Sequence, residues 1–202
     1  MAVARTRMVR WRRFGGALRL PRSCATALIV ALFGPPAWGG GTEAPPPPLT
    51  QEHVHPSGAF TFKTPADWQV QQSPTNPYAL EAGGGGLLVR FIFRHEEVGY
   101  DSLHVDCMLE RLAPEMEQDP RIRYEYDFLS GVFGDRRGLD SAFIVTYNTP
   151  IAGYREWRQR NVTLVGAGQS LCAISYAPLP VWKKSRSVRD LLDGVLKSVT
   201  FR

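Results

Sequence analysis

From Gly58 onward the chain alternates apolar and polar residues with a period of two, the mark of half-buried strands. Gly58-Ala59-Phe60-Thr61-Phe62-Lys63 sets small or aromatic side chains against polar ones, and Pro65 ends the run. Residues 68–72 and 78–82 read as two further strands, separated by the loop Ser73-Pro74-Thr75-Asn76-Pro77. The glycines at 83–86 predict a hairpin turn, because glycine accepts the positive φ that tight hairpins require. The strand at 87–94 is strongly patterned. Leu87, Val89, Phe91 and Phe93 share one face, and Arg90 and Arg94 lie on the other.

The period turns helical twice. Residues 101–117 place Leu103, Val105, Met108, Leu109 and Leu112 on one stripe, with Asp101 or Ser102 as N-cap and Pro114 to bend or end the helix. Three long strands follow at 123–133, 139–147 and 154–165. In the first, Tyr124, Tyr126 and Phe128 face one side and Arg123, Glu125 and Asp127 the other. Gly166-Ala167-Gly168 turns the chain into a strand at 169–176. Pro178 and Pro180 lead into a terminal helix whose core is Val188, Leu191, Leu192, Val195 and Leu196, and Val199-Thr200-Phe201 closes as a short strand. Strands joined by tight turns are antiparallel, so the predicted class is α+β: an antiparallel β-sheet flanked by helices. Residues 55–202 suffice for one domain with a real core and show no internal repeat.

Charge changes the picture at the N-terminus. Residues 1–39 hold seven arginines and no acid, so 17 of the 24 basic residues remain against all 19 acidic ones. The net charge then turns from +5 to −2. The apolar run at 25–33 is far shorter than the ~20 residues of a spanning helix. Gly34-Pro35-Pro36 breaks it, and Ala37-Trp38-Gly39 offers small residues for cleavage. Residues 1–39 are therefore expected to be a signal peptide, starting at Met1 or Met8, with the product periplasmic or secreted. Arg12-Arg13 is too far from the apolar core for a twin-arginine signal, and Cys24 precedes that core, which speaks against a lipid anchor. Residues 40–54, with Pro45 to Pro48, read as a glycine- and proline-rich linker. The basic isoelectric point is thus an address and not a nucleic-acid footprint.

The opening Phe60-Thr61-Phe62-Lys63-Thr64-Pro65-Ala66-Asp67-Trp68 resembles the aromatic-x-aromatic-x-x-Pro-x-x-Trp start of PsbP-like domains. That family embraces the PsbP extrinsic protein of photosystem II, the yeast Ran-binding Mog protein and bacterial envelope proteins of the DcrB kind. The closing Leu191-Leu192-Asp193-Gly194-Val195-Leu196-Lys197-Ser198-Val199-Thr200-Phe201 resembles the family's terminal helix and its short Ser-x-x-Phe strand. The resemblance spans 58–202. It implies a PsbP-like α/β/α sandwich and an accessory or partner-binding role. It carries over no binding residue, and the chain lacks the lipobox of the anchored bacterial members.

Candidate chemistry is sparse. Cys107 on the first helix and Cys172 on the last long strand are the two cysteines beyond the leader, and an oxidising compartment favours their pairing. The spacing excludes a Cys-x-x-Cys redox motif. His53 and His55, with His95, Glu96, Glu97 or His104, are the metal-ligand types to consider, but His53 and His55 lie at the linker edge, where nothing fixes their geometry. No Gly-x-Ser-x-Gly elbow occurs, and Glu125 and Asp127 share their face with Arg123 as a solvated, charge-balanced surface. The best surface candidate is Tyr154-Arg155-Glu156-Trp157-Arg158-Gln159-Arg160, since Arg, Trp and Tyr are enriched at binding hot spots. Its alternative is a sheet face covered by a helix. The expectation is a non-enzymatic exported protein, with no cofactor, that binds another envelope protein through Tyr154, Arg155, Trp157, Arg158 and Arg160. It binds no nucleic acid and is at most peripheral to the membrane. The rival is a ligand- or metal-binding protein, or a hydrolase with a site assembled from scattered residues.

Overall fold

The structure, a computed structural model, describes residues 43–73, 79–96, 121–133, 136–166 and 168–202, with the backbone alone for 126–128. The expected signal peptide at 1–39, most of the expected loop at 73–77, and the expected helix at 101–117 with His104 and Cys107 lie outside the described residues.

Two antiparallel sheets form. The small one has the order β1-β2-β10, from β1 (Gln51–Val54), β2 (Phe60–Thr64) and β10 (Thr200–Phe201). The large one contains β3 (Gln69–Gln72), β4 (Ala79–Gly84), β5 (Leu87–Arg94), β6 (Ile122–Phe133), β7 (Arg136–Ile151), β8 (Tyr154–Gly166) and β9 (Gln169–Pro178). Its order is β3-β4-β5-β9-β8-β7-β6. Two short helices follow β9: α1 (Leu179–Lys184) and α2 (Arg186–Lys197). The result is mostly antiparallel sheet, richer in strand than the expected helix-flanked sandwich.

The alternation decides how the layers meet. Phe60 and Phe62 on β2 are fully buried against Phe91 and Phe93 on β5, and the Phe62 and Phe91 ring centroids are 4.3 Å apart. These rings join the small sheet to one face of the large one. Helix α2 adds Val188, Leu191, Leu192, Val195 and Leu196 to the same core, as its helical spacing predicts. Ser198 ties the end of α2 to β2. Its hydroxyl accepts from the Lys63 amide at 2.8 Å and donates to the Val195 carbonyl at 2.7 Å. Pro65 ends β2, and Trp68 packs its indole where a Cβ on Gly84 would stand.

Three expectations need correction. Arg90 does not face solvent: β5 is buried on both sides, and Arg90 is ion-paired with Glu81 across the β4–β5 ladder, with Ser73 accepting at 3.1 Å. A central strand has no outward face, so the charge needs a paired partner. Residues 43–54 are no loose spacer. Glu43 accepts from the Ser185 hydroxyl (2.7 Å) and the Ser187 amide (2.5 Å) at the N-terminus of α2, Leu49 lies beside Gly194, and β1 pairs with β2. Those helix donors hold the Glu43 carboxyl below the usual range, the Ser185 bond contributing most. The folded body therefore starts before the expected boundary at His55. In β6, two register shifts between Tyr124 and Leu129 break the strict alternation that its sequence suggests.

Two fully described two-residue turns use positive φ at both positions. Gly85 and Gly86 (57° and 84°) join β4 to β5, and Ala152 and Gly153 (49° and 82°) join β7 to β8. Ala152 is exposed, so its left-handed backbone is uncompensated by packing. Replacing it with asparagine, which suits this turn, is expected to raise stability by about 0.5–1 kcal/mol in urea unfolding.

Candidate functional site

The Tyr154–Arg160 segment forms the first half of β8, and the two sides of that strand have different fates. Arg158 and Arg160 point toward the helices. The Arg158 Nε donates to Glu125 on β6 at 2.6 Å, and its guanidinium lies 4.0 Å from the Trp182 ring centroid on α1. Arg160 grips both oxygens of Asp140 on β7, with Nη2–Oδ2 at 2.8 Å. It also donates from Nη1 to Asp193 on α2 at 2.9 Å. Asp193 receives Lys197 as well, at 2.6 Å. Burial works to raise the Asp193 pKa, but the Lys197 and Arg160 hydrogen bonds and charges outweigh it and hold the carboxyl below its usual range.

Trp157 points to the opposite face and is buried beside Ile151, Cys172, Ile174 and Tyr176. Its indole N–H donates to the Tyr154 carbonyl, and the half-buried Tyr154 ring meets it edge-on at 6.4 Å. Of the five residues expected at a partner surface, Arg155 is the exposed one. Arg158 and Arg160 hold the terminal helices to the sheet. The alternative of a face covered by a helix describes them, and the signal was available in the sequence: both arginines fall in register with the apolar Val162 and Leu164 of the same face.

The histidines are also fixed internally. His53 stacks on Phe62 and bonds the Thr64 hydroxyl through Nε2 at 2.8 Å. His55 stacks on Phe60, and its Nδ1 lies 2.7 Å from the Ser57 hydroxyl. Burial lowers both pKa values, and His95 lowers that of His55 further. Among the described residues no three His, Cys, Asp or Glu side chains form a metal-holding group, and no helix there is long and apolar enough to cross a membrane. Cys172 is fully buried on β9. Glu125 accepts from Arg158.

With the sheets, the terminal helix and its clamps established, likeness to solved structures becomes informative. The solution structure of cyanobacterial PsbP (CyanoP) from Synechocystis sp. PCC 6803 matches with a TM-score of 0.51 and 12% identity, over 84% of this chain and 100% of that one. The chain has the PsbP fold. LpqN of Mycobacterium tuberculosis, a protein involved in cell envelope biogenesis, matches at 14% identity and a TM-score of 0.49, over 75% of this chain and 90% of that one. The Ran-binding protein Mog1p of Saccharomyces cerevisiae matches at 9% identity and 0.48, over 76% and 96%. Of a further matching structure, from Bacteroides thetaiotaomicron, the chain spans 48%. No family model and no curated protein sequence matches.

Two outcomes test this account of the PsbP-fold body. Arg160→Ala leaves Asp140 buried without its cation and is expected to cost about 3 kcal/mol in urea unfolding, while Arg155→Ala costs under about 0.5 kcal/mol. The histidines set a pH dependence. Their folded pKa values lie below the ordinary value of about 6.5, so the unfolded chain takes up protons first on acidification. Stability is complete above that value and is lost as pH falls from it toward the lower folded values. His53→Gln with His55→Gln should flatten the decline measured between pH 7.5 and 5.

Proposed function

We propose that the chain is an exported, non-enzymatic accessory protein of the periplasm or cell envelope that binds another envelope protein along the outer edge of β6. The observation that carries this reading is where exposed apolar surface gathers. Among the described residues, three of the four large apolar side chains left exposed are on this one strand: Tyr124 (38%), Leu129 (53%) and Val132 (62%). β6 is also the terminal strand of the seven-stranded sheet. An edge strand offers backbone donors and acceptors to an extended segment of a partner, and exposed apolar side chains on it add area to such a pairing. Natural edges are ordinarily blunted with charge, which Leu129 and Val132 lack. This assignment moves the partner surface from the β8 arginines, which are engaged inside, to β6.

Export rests on the arginine-rich leader and on the −2 charge of the remainder. In an oxidising compartment we further propose the bridge Cys107–Cys172, which would link the segment at 101–117 to β9 and contribute about 2–4 kcal/mol. The intact mass of the protein from its own host should begin near Gly40 and be two protons lighter than the reduced chain. An unprocessed or fully reduced mass would count against these assignments.

The partner reading is tested with a photo-crosslinking residue at Val132 in the full chain, expressed in its own host. One discrete protein adduct is expected. Leu129→Lys with Val132→Lys should weaken binding of the partner so identified at least about tenfold and leave the unfolding midpoint unchanged. Absence of an adduct, or undiminished binding by the double variant, would sink the β6 assignment.

A further inference from the structure

The two terminal helices meet at a corner that is basic and exposed. Residues 179–189 form α1, the junction at Ser185 and the first turn of α2. They hold Lys183, Lys184, Arg186 and Arg189 and no acid. The rest of 40–202 then has 13 basic residues against 19 acidic ones, so a positive corner stands on an otherwise acidic body. Lys183, Lys184 and Arg186 are exposed, Arg186 with 79% of its side chain in solvent. Lys183 and Lys184 form no ion pair among the described residues. Two carboxylates beside the corner are engaged. Glu43 caps α2, and Asp190 reaches Arg186 at 3.4 Å in an exposed contact that leaves much of that charge projecting.

The corner is held in shape. Arg189 turns back and donates from Nη1 to the Trp182 carbonyl at 2.7 Å and the Lys183 carbonyl at 3.3 Å, which meets the open carbonyls at the end of α1. Ser185 serves both helices. Its amide donates to the Val181 carbonyl at 2.9 Å, and its hydroxyl accepts from the Val188 amide at 3.1 Å. The cations are thus displayed on a fixed bend. Beneath them Leu179 is buried and Val181 and Trp182 are half-buried, with Trp182 against the Arg158 guanidinium. A tryptophan at the margin of a cationic cluster suits the headgroup layer of a bilayer, where an indole sits between apolar and charged surroundings. A single bend offers no extended basic stripe of the kind that follows a nucleic-acid backbone.

We propose that this corner docks the protein peripherally on an anionic lipid surface, with Lys183, Lys184 and Arg186 among the phosphate groups and Trp182 at their margin. Three exposed cations near such a surface amount to a preference over neutral lipid on the order of a hundredfold, and salt screens it. Arg158 joins Trp182 to Glu125 on β6, so the docked corner and the β6 edge are linked through one side chain. The docking needs only an anionic bilayer and depends neither on a partner along β6 nor on export.

Binding is read on protein isolated from its own host, with its N-terminus fixed by intact mass, so that any contribution of the arginines in 1–39 is known. Vesicles of equal parts phosphatidylglycerol and phosphatidylcholine should sediment the protein at low salt. Vesicles of phosphatidylcholine alone should not, and salt at about 0.5 M should release it. Lys183→Gln with Lys184→Gln should lower the partition onto anionic vesicles about thirtyfold. Lys63→Gln with Arg202→Gln removes the same charge from the exposed edge of the small sheet and should lower it less than about threefold. Hydrogen exchange gives a local reading that holds whether or not residues 1–39 are present: the amides of 181–186 should exchange more slowly on anionic vesicles. Equal sedimentation by phosphatidylcholine alone, undiminished binding of the Lys183 and Lys184 variant, an equal loss in the control pair, unchanged exchange at 181–186, or equally tight retention on a DNA duplex at the same salt would overturn the proposal.

Discussion

Two arginines set into an apolar layer constrain the rest of this structure. Arg158 and Arg160 stand on the face of β8 that Val162 and Leu164 make hydrophobic. A guanidinium there is costly unless it is paired and its donors are met. Asp140 and Glu125 supply carboxylates from within the sheet, but the pairing is completed only by Asp193 and the Trp182 ring, which belong to the two terminal helices. Satisfying the arginines therefore docks α1 and α2. Docked α2 presents Ser198 to Lys63, which lays β10 beside β2 and closes the small sheet. Glu43 then caps α2 from the other end of the chain. The apolar stripe of α2 drives its burial, and the charges decide where along the sheet it lands.

This internal use of charge shapes what remains for recognition. A surface rich in Arg and Trp reads as a hot spot only while its side chains face outward, and here the strand pleat turns Trp157 to one buried face and Arg158 and Arg160 to the other. Among the described residues, three of the four large apolar side chains that reach solvent lie on β6, where register shifts disturb the pairing with β7. The second face of the sheet differs again, with the buried amide pair of Gln159 and Asn161, a compensated Arg90–Glu81 pair and Tyr176 among apolar walls. The proposed recognition along β6 thus does not rely on the clamp.

The sequence made the periodic elements legible. Phe60, Phe62, the alternation of β5, the glycine turn at 85–86 and the stripe of α2 all follow from local pattern, because each is decided by residues close in the chain. The closing Ser198 and Phe201 also foretold the short last strand. What pattern could not reveal was decided by distant partners. Arg90 looks like a solvent face until β4 and β9 flank it. Residues 43–54 look like a linker until α2 offers Glu43 its amide groups. His53 and His55 look unsupported until Phe60, Phe62 and Thr64 lie beneath them. The arginines of β8 look available for the same reason, since Asp140 and Asp193 are 20 and 33 residues away.

The central claim is that Arg160 holds the terminal helix to the sheet. Native-state hydrogen exchange of Arg160→Met tests it residue by residue. The amides of α2 are predicted to lose protection by about tenfold or more while those of β5 and β9 keep theirs. Unchanged protection of α2 in a folded Arg160→Met protein would contradict the account.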